Sequence, residues 1–470
     1  MGALRLVVPT ALLLWFLWRA RVNRLFLLGV PLLMMMGQSI FFTSMRPFWT
    51  PARFEPQHHI MGWLFVVWLV LLVTTPKHGE RHAGLFGPGR LLPEEVPLLF
   101  VGVLIVAHAA VAAAPAADIA GAVAAAADLG YLILGYLMVR GIASRFPRRQ
   151  VIEFLTVAVL ANTVAAALYV LHQGFGLPIY DEGEYFRTTY AGVEITRTFT
   201  FMPQLNLLAL GFILARQRWT PGWLAVLAVT VLSILVSYTR TLLITVVVAI
   251  VLAVVVREVR RPDPSRFFRR VTLVTLSVLL VAGAFFVLLP AQSQFLVSRM
   301  SEFASAGGVS DIGNWHVREF KYTSVEDVVV RNDPLFGMGF PEPASNPVDA
   351  KIYRYSSDMA WIPILYRTGY VGIALFALLL LGFGARSLLL TLGGVEERRY
   401  LGLTYLVTVA LMTLVCFTSW VFMQPQIAPM GLWVLALIAA ETLRPDVDEA
   451  EATEAATAGA AAHGAVGQTP

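Results

Sequence analysis

Residues 241–256 read TLLITVVVAIVLAVVV and carry no charged side chain. An α-helix needs about 20 predominantly apolar residues to cross the hydrocarbon core of a bilayer, and this run approaches that length. Further apolar runs cover residues 98–114, 151–171, 271–289 and 400–416. Together they predict a protein built from membrane-spanning helices.

The composition supports this prediction over the whole chain. Hydrophobic residues make up 57% of the 470 residues, charged residues make up 14%, and the mean hydropathy is +0.70. A soluble domain has about 25% charged residues, so the chain is predicted to be an all-α polytopic membrane protein. The single cysteine, Cys416, lies in an apolar run, which excludes an intramolecular disulfide and a cysteine metal cluster.

The apolar runs define thirteen candidate spans, or twelve if the first lies at the membrane surface. The first is short and contains Arg5 and Pro9, and either residue could keep it at the interface. The candidate spans are residues 4–18, 25–45, 60–74, 97–114, 117–139, 151–171, 199–215, 221–238, 241–256, 271–289, 358–383, 400–420 and 426–442.

The basic residues concentrate in short connectors that fall on one side of the membrane if the spans alternate. These connectors are residues 19–24, 140–149, 216–218 and 257–270, and the stretch around Arg386, Arg398 and Arg399. By the positive-inside rule, this side is the cytoplasm. The basic residues therefore set the topology, and we assign them no nucleic-acid role despite the net charge of +5.

This orientation divides the chain into three parts. Residues 1–442 form a polytopic transmembrane domain, and residues 290–357 form an extracytoplasmic loop with short helices inserted between two spans. Residues 443–470 are rich in Ala, Gly, Glu and Thr and lack an apolar face, which predicts a disordered cytoplasmic tail. The loop at 172–198 and the turn at 237–240 are predicted to lie outside.

A polar segment between two spans, residues 333–372, is where we expect the chemistry. In PLFGMGF (334–340), Gly337 and Gly339 are spaced so that a sharp turn can present backbone N–H groups to an anion. The alternative is a turn that returns the chain to the membrane. Asp358 opens the next apolar run, where a carboxylate can act as a general base or cap the helix. Residue type and position alone favour the cap.

Three arginines outside the long loop are candidate ligands for an anionic group. Arg240 ends the motif SYTR at the outer end of a span. It is interpreted either as a guanidinium that binds a phosphate or diphosphate or as one that snorkels to the interface. Arg197 and Arg367 are further guanidiniums at the outer face or within the membrane, and Arg367 needs a buried partner or water.

The long outer loop contributes two more cations. Arg318 and Lys321 lie in a helix predicted over residues 313–330. Loops of this length are often lids or binding loops. Most charges on such a helix are simply solvated. Each of the two residues therefore has two interpretations, a solvated surface charge or a functional residue.

Taken together, these motifs resemble the O-antigen ligase and polysaccharide polymerase superfamily of bacterial membrane proteins. The resemblance covers roughly residues 197–372 and consists of three elements in order. They are SYTR at the outer end of a helix, Arg318 followed by PLFGMG, and Asp358 opening a helix that continues with TGYVG.

The resemblance implies transfer or polymerisation of glycan on the outer face of the bacterial cytoplasmic membrane. The donor would be a polyprenyl-diphosphate-linked oligosaccharide and the acceptor a hydroxyl of a glycan or lipid. Arg240 and Arg318 would hold the diphosphate, without a metal or cofactor. The acceptor would attack with inversion while Asp358 takes or orients its proton. Family ligases often have His-Asn where this chain has Asp358 and Met359, which favours the polymerase branch.

Arg197, Lys321, Gly337, Gly339 and Arg367 complete the predicted site as substrate-binding residues. Two other functions stay open at the level of the sequence. A transporter or flippase for a lipid-linked saccharide would use the same arginines, although paired broken helices are not evident. A membrane scaffold would use the outer loop as a docking surface.

Overall fold

Fifteen α-helices account for most of the regular structure in the described part of the computed structural model. The structure describes residues 2–36, 56–74, 83–84, 86–88, 90–116, 119–177, 179, 185–190, 193–198, 203–216, 219–260, 264–305, 315–339, 360–393, 395–417 and 425–444.

Most of these helices are apolar, and their bounds follow the apolar runs of the sequence. They are α1 (Gly2–Arg19), α2 (Gly29–Met36), α3 (Pro56–Thr74), α4 (Val96–Ala116), α5 (Ile119–Ala143), α6 (Arg148–Phe175), α7 (Pro203–Leu214), α8 (Pro221–Val236), α9 (Arg240–Arg260), α10 (Pro264–Leu288), α11 (Pro290–Ser305), α12 (Trp315–Asn332), α13 (Trp361–Leu392), α14 (Glu396–Cys416) and α15 (Trp433–Thr442). Short 3₁₀ helices cover Arg24–Leu28, Pro93–Glu95 and Pro425–Met430.

The predicted all-α membrane architecture is confirmed. Within the described residues, five helices are long and apolar enough to cross a membrane, and seven shorter apolar segments accompany them. The long ones are Arg148–Phe175, Arg240–Arg257, Val271–Leu288, Trp361–Leu392 and Glu396–Cys416. The helix predicted over residues 313–330 is present as α12.

The structure contains a short helix of the kind predicted for residues 290–357, and two hairpins that were not predicted. A further helix, α11, follows α10 directly, because Pro290 suits the first turn of a new helix after Leu289. The 172–198 loop contains an antiparallel hairpin of β3 (Tyr185–Tyr190) and β4 (Val193–Thr198). A second, very short hairpin joins β1 (Ala83–Gly84) and β2 (Gly87–Pro88).

Ion pairs join helix ends that lie beside several of the basic connectors. Arg19 at the end of α1 forms an ion pair with Glu153 near the start of α6. Arg386 in α13 donates to Glu94, just before α4, at 2.6 Å. Since these contacts join helix ends far apart in sequence, they fix which ends share one side of the membrane. We call this side the inner end.

Carboxylates compensate two buried guanidiniums at the inner end. Glu95 is 2% exposed and lies 2.6 Å from Arg140, and it also accepts a hydrogen bond from the Tyr136 hydroxyl at 2.6 Å. Arg148 in α6 forms an ion pair with Glu441 in α15, and Glu441 is 1% exposed. A buried charge of this kind is tolerated only with such a partner.

At the opposite, outer end, α14 lies between the two helices that carry candidate site residues. Both α9 and α13 pack against it. The backbone N–H of Ala360, just before α13, donates to the Cys416 carbonyl at the end of α14 at 3.2 Å. The Trp361 ring contacts the Phe417 ring with centroids 5.6 Å apart. These contacts fix the outer end of α13 to that of α14.

Replacing Glu441 with alanine removes the carboxylate that Arg148 contacts inside the bundle. We expect a loss of about 3–5 kcal/mol in the free energy of unfolding, because a buried charge then lacks its compensating carboxylate. The measurement is thermal unfolding of the purified protein in detergent. Glu397→Ala is the control, because Glu397 is exposed on the same side and its loss should change stability by less than about 0.5 kcal/mol. Equal effects of the two substitutions would contradict the prediction.

Candidate active site

Helix α13 is interrupted at Gly369, where φ is 63° and ψ is −162°. In a continuous helix, the carbonyls of Tyr366 and Arg367 would accept from the N–H groups four residues later. Here they accept instead from Met338 at 2.7 Å and from Gly339 at 3.2 Å. Met338 and Gly339 of the outer loop therefore donate the two hydrogen bonds that Tyr370 and Val371 would donate in a continuous helix.

The two N–H groups released by this interruption also find partners in the loop. Tyr370 donates to the Pro334 carbonyl at 3.0 Å, and Val371 donates to the Leu335 carbonyl at 3.1 Å. We call these four hydrogen bonds between residues 334–339 and 366–371 the Gly369 junction. Because unpaired backbone groups are costly in a membrane, the junction lets α13 break without leaving those groups exposed.

Glycine is required on both sides of the junction. A Cβ atom at Gly369 would lie 2.4 Å from the Leu335 carbonyl oxygen, and its backbone conformation is one that only glycine adopts readily. A Cβ atom at Gly337, where φ is 75°, would lie 2.6 Å from the Gly369 nitrogen. The two backbones thus approach more closely than any side chain permits.

The geometry corrects the expectation that Gly337 and Gly339 present free N–H groups to an anion. The Gly337 N–H donates to the Asp333 carbonyl at 2.9 Å, and the Gly339 N–H donates to the Arg367 carbonyl. The Asp333 carboxylate in turn accepts from the N–H groups of Leu335 and Phe336. The alternative interpretation, a turn that returns the chain to the membrane, accounts for the Gly-x-Gly spacing.

The Thr-Gly-x-x-Gly sequence of TGYVG has a structural explanation around the same break. The Thr368 hydroxyl donates to the Ile364 carbonyl at 2.7 Å and so satisfies a carbonyl near the interruption. A Cβ atom at Gly372 would lie 1.7 Å from the Thr368 hydroxyl oxygen. The second glycine therefore makes room for the threonine.

Arg367 is 7% exposed and immediately precedes this break. Its carbonyl belongs to the Gly369 junction, so its backbone is fixed on both the helix side and the loop side. A guanidinium buried at this depth is costly in lipid unless it faces the protein interior or a polar cavity. The junction thus determines the position of one of the predicted cations.

Arg318 and Lys321 lie on α12, and both are partly buried. They precede Val325 by seven and four residues, spacings that place all three on one face of a helix. Val325 and Val329 pack in a small apolar cluster against the outer part of α13, whose members are Ile362, Leu365 and Tyr366. Arg318 and Lys321 therefore lie on the same face of α12 as the residues that contact α13.

Arg240 is the first residue of α9, and the SYTR turn before it is held by its own side chains. The Ser237 hydroxyl donates to the Ile234 carbonyl at 2.7 Å and accepts from the Thr239 N–H at 3.3 Å. Tyr238 has a left-handed φ of 50° and is 1% exposed. Such a conformation is uncommon for a bulky residue, and local packing maintains it.

The packing around Tyr238 involves α11, a short helix at the start of the 290–357 segment. The Tyr238 ring makes an edge contact with Phe295 of α11, with ring centroids 5.3 Å apart. α11 therefore positions the start of α9, where Arg240 lies half-buried.

The side chains of two predicted site residues, Asp358 and Arg197, lie outside the described part of the structure. Asp358 lies outside the described residues. The backbone of Arg197 lies in β4, where it pairs with Phe186 of β3. Among the other predicted residues, the structure brings Gly337, Gly339 and Arg367 into one junction. Arg318 and Lys321 lie on the adjoining α12, while Arg240 lies across α14.

His108 of α4 is a neighbour of the junction that the sequence did not suggest. A Cβ atom at Gly339 would lie 3.4 Å from the His108 Cγ atom. The Asp333 carboxylate also interacts electrostatically with this histidine. No spacing rule connects α4 with the outer loop, because more than 200 residues separate them, and only the folded chain brings them together.

Residues 223–377 match the family model described as O-Antigen ligase. This range contains every motif residue described above except Arg197: the SYTR turn, Arg318, PLFGMG, Asp358 and TGYVG. The match confirms the resemblance to the O-antigen ligase-related superfamily. The matched family implies glycan transfer of the ligase or polymerase type, and the apolar helices indicate a multi-pass membrane protein. Among curated proteins, none matches the chain.

Gly369→Ala should disrupt the Gly369 junction, because the added methyl group meets the Leu335 carbonyl and the backbone conformation disfavours alanine. We expect the backbone strain to cost about 1–3 kcal/mol, with faster amide hydrogen exchange at Tyr370 and Val371. Gly384→Ala in the same helix is the control, since nothing lies within 4 Å of its Cβ position. Unchanged exchange in Gly369→Ala would contradict the role of the junction.

Proposed function

We propose that this protein transfers or polymerises glycan from a polyprenyl-diphosphate-linked donor to an acceptor hydroxyl. The reaction takes place at the outer face of the bacterial cytoplasmic membrane, without a metal and with inversion at the anomeric carbon. The observation that carries the proposal is the Gly369 junction, which lies within the matched segment and joins the outer loop to α13 beside buried Arg367.

The cations suit a diphosphate leaving group. Charge grows on the diphosphate as its bond to the sugar breaks, and prepositioned guanidiniums stabilise that charge. Arginine is well suited because its planar group can donate two parallel hydrogen bonds to phosphate oxygens. We assign the diphosphate to Arg240 and Arg318, with Lys321, Arg367 and Arg197 as further substrate-binding residues.

The transfer also requires a base that takes the proton of the acceptor hydroxyl. The acceptor oxygen attacks the anomeric carbon, the bond between that carbon and the diphosphate oxygen breaks, and the hydroxyl proton passes to a base. We propose Asp358 for this base, because it lies two residues before Ala360 in the sequence, and the Ala360 N–H is hydrogen-bonded to the end of α14. An acidic residue at this position favours polymerisation over ligation.

Purified protein in detergent, with a synthetic polyprenyl-diphosphate oligosaccharide, provides the test. Arg318→Ala should lower transfer by about 10²–10³-fold, the usual loss when one donor to a developing charge is removed. Arg331→Ala is the matched control, since Arg331 lies on the same helix with a side chain 79% exposed, and it should change transfer by less than about twofold. EDTA should leave the rate unchanged.

Three outcomes would overturn the proposal. Equal transfer by the Arg318→Ala and unmodified proteins would show that the Arg318 guanidinium has no role in transfer. Abolition of transfer by EDTA, with recovery on adding Mg²⁺, would show that the reaction needs a metal. In cells, a loss of precursor export with these variants would favour a transporter, whereas shorter glycans with unchanged export would support the transferase.

A further inference from the structure

A tyrosine and a carboxylate are paired beside the Gly369 junction. The Tyr370 hydroxyl donates to Glu326 Oε1 of α12 at 2.6 Å. Tyr322 lies one helical turn before Glu326 and packs against the apolar cluster of Val325 and Val329, and burial together with the Glu326 carboxylate raises the pKa of the Tyr322 phenol. We call Tyr322, Glu326 and Tyr370 the tyrosine–glutamate cluster.

The cluster lies at an accessible rim. Tyr370 is 37% exposed, and its neighbours in the junction, Leu335 and Phe336, are also exposed. Asp327 and Arg331, on the same helix as Glu326, have side chains 70% and 79% exposed. Since charged side chains of this kind do not face acyl tails, this edge of α12 faces water or the headgroup region.

Fixing α12 to α13 does not require the tyrosine–glutamate cluster. Val325 and Val329 already pack with Ile362 and Leu365 in an apolar cluster in which all four are fully buried. An exposed hydrogen bond adds little to such a contact, because water competes for both partners. An exposed tyrosine paired with a carboxylate at the rim, with the Tyr322 ring one helical turn away, therefore suggests binding.

We propose that the tyrosine–glutamate cluster binds a sugar residue of the glycan chain. A carboxylate offers about four acceptor positions, so positions remain for sugar hydroxyls after Tyr370 has donated. The exposed Tyr370 ring supplies a rigid apolar surface for the C–H face of a pyranose and keeps a polar end in water. Few polar groups converging beside apolar walls are typical of ligand sites.

This proposed sugar subsite rests on the proposed function and adds to it a binding site for one sugar of the glycan chain. Glu326 follows Arg318 by eight residues, which is about 12 Å along the helix axis. A glycan whose diphosphate contacts Arg318 would therefore place a sugar other than the reacting one at Glu326. The cluster should accordingly govern how strongly the chain is held, and it should have little influence on bond breaking.

The direct test measures binding of the free saccharide released by mild acid from the lipid-linked donor, using saturation-transfer NMR. Glu326→Gln should weaken binding about tenfold, a difference of about 1.4 kcal/mol, because a charged acceptor becomes a neutral amide. Tyr370→Leu should weaken binding similarly, while Tyr370→Phe keeps the ring and should lose less. Asp327→Asn, at the adjacent exposed position, is the control and should bind normally.

Transfer kinetics provide a second readout that a purely structural role would not produce. In Glu326→Gln we expect KM for the saccharide substrate to rise about tenfold with kcat unchanged, whereas Arg318→Ala should lower kcat. Unchanged saccharide binding in both Glu326→Gln and Tyr370→Leu would overturn the subsite while leaving the transferase proposal intact. Equal loss of kcat and thermal stability in Glu326→Gln would also overturn it, since the residue would then be structural. Because binding of the free saccharide needs no transfer, it separates failure of the subsite from failure of the proposed function.

Discussion

A membrane helix can be interrupted only where other groups take up the hydrogen bonds that the interruption releases. In α13 this requirement is met by the outer loop, whose residues 334–339 exchange four backbone hydrogen bonds with residues 366–371. The glycines at 337 and 369 allow the two backbones to approach. The loop is therefore joined to the membrane domain by its backbone as well as by its side chains.

This constraint explains how a loop outside the predicted spans can support a defined site. The junction fixes the backbone at Arg367, and it brings the end of α12 to α13. The packing of Val325 and Val329 then orients the face of α12 that carries Arg318 and Lys321. Preorganised cations are effective in transfer chemistry because they need little rearrangement when charge develops.

The two ends of the bundle use arginine differently. At the inner end, Arg148 and Arg140 contact buried carboxylates that hold helix ends together. At the outer end, Arg240 begins a helix and Arg367 precedes a helix break, positions at which a guanidinium can be presented to a ligand. The same residue type thus stabilises the fold at one end and, in the proposed function, binds an anion at the other.

The sequence by itself determined the apolar spans, their common basic end, helix α12 and the family resemblance, because hydropathy, charge and motif order are local properties of the chain. It left two interpretations of PLFGMG and gave no sign of His108, of the Tyr370–Glu326 contact or of the Arg148–Glu441 pair. Only the tertiary structure decided these features. They depend on backbone and side-chain groups that lie up to 293 residues apart and meet only when the helices pack.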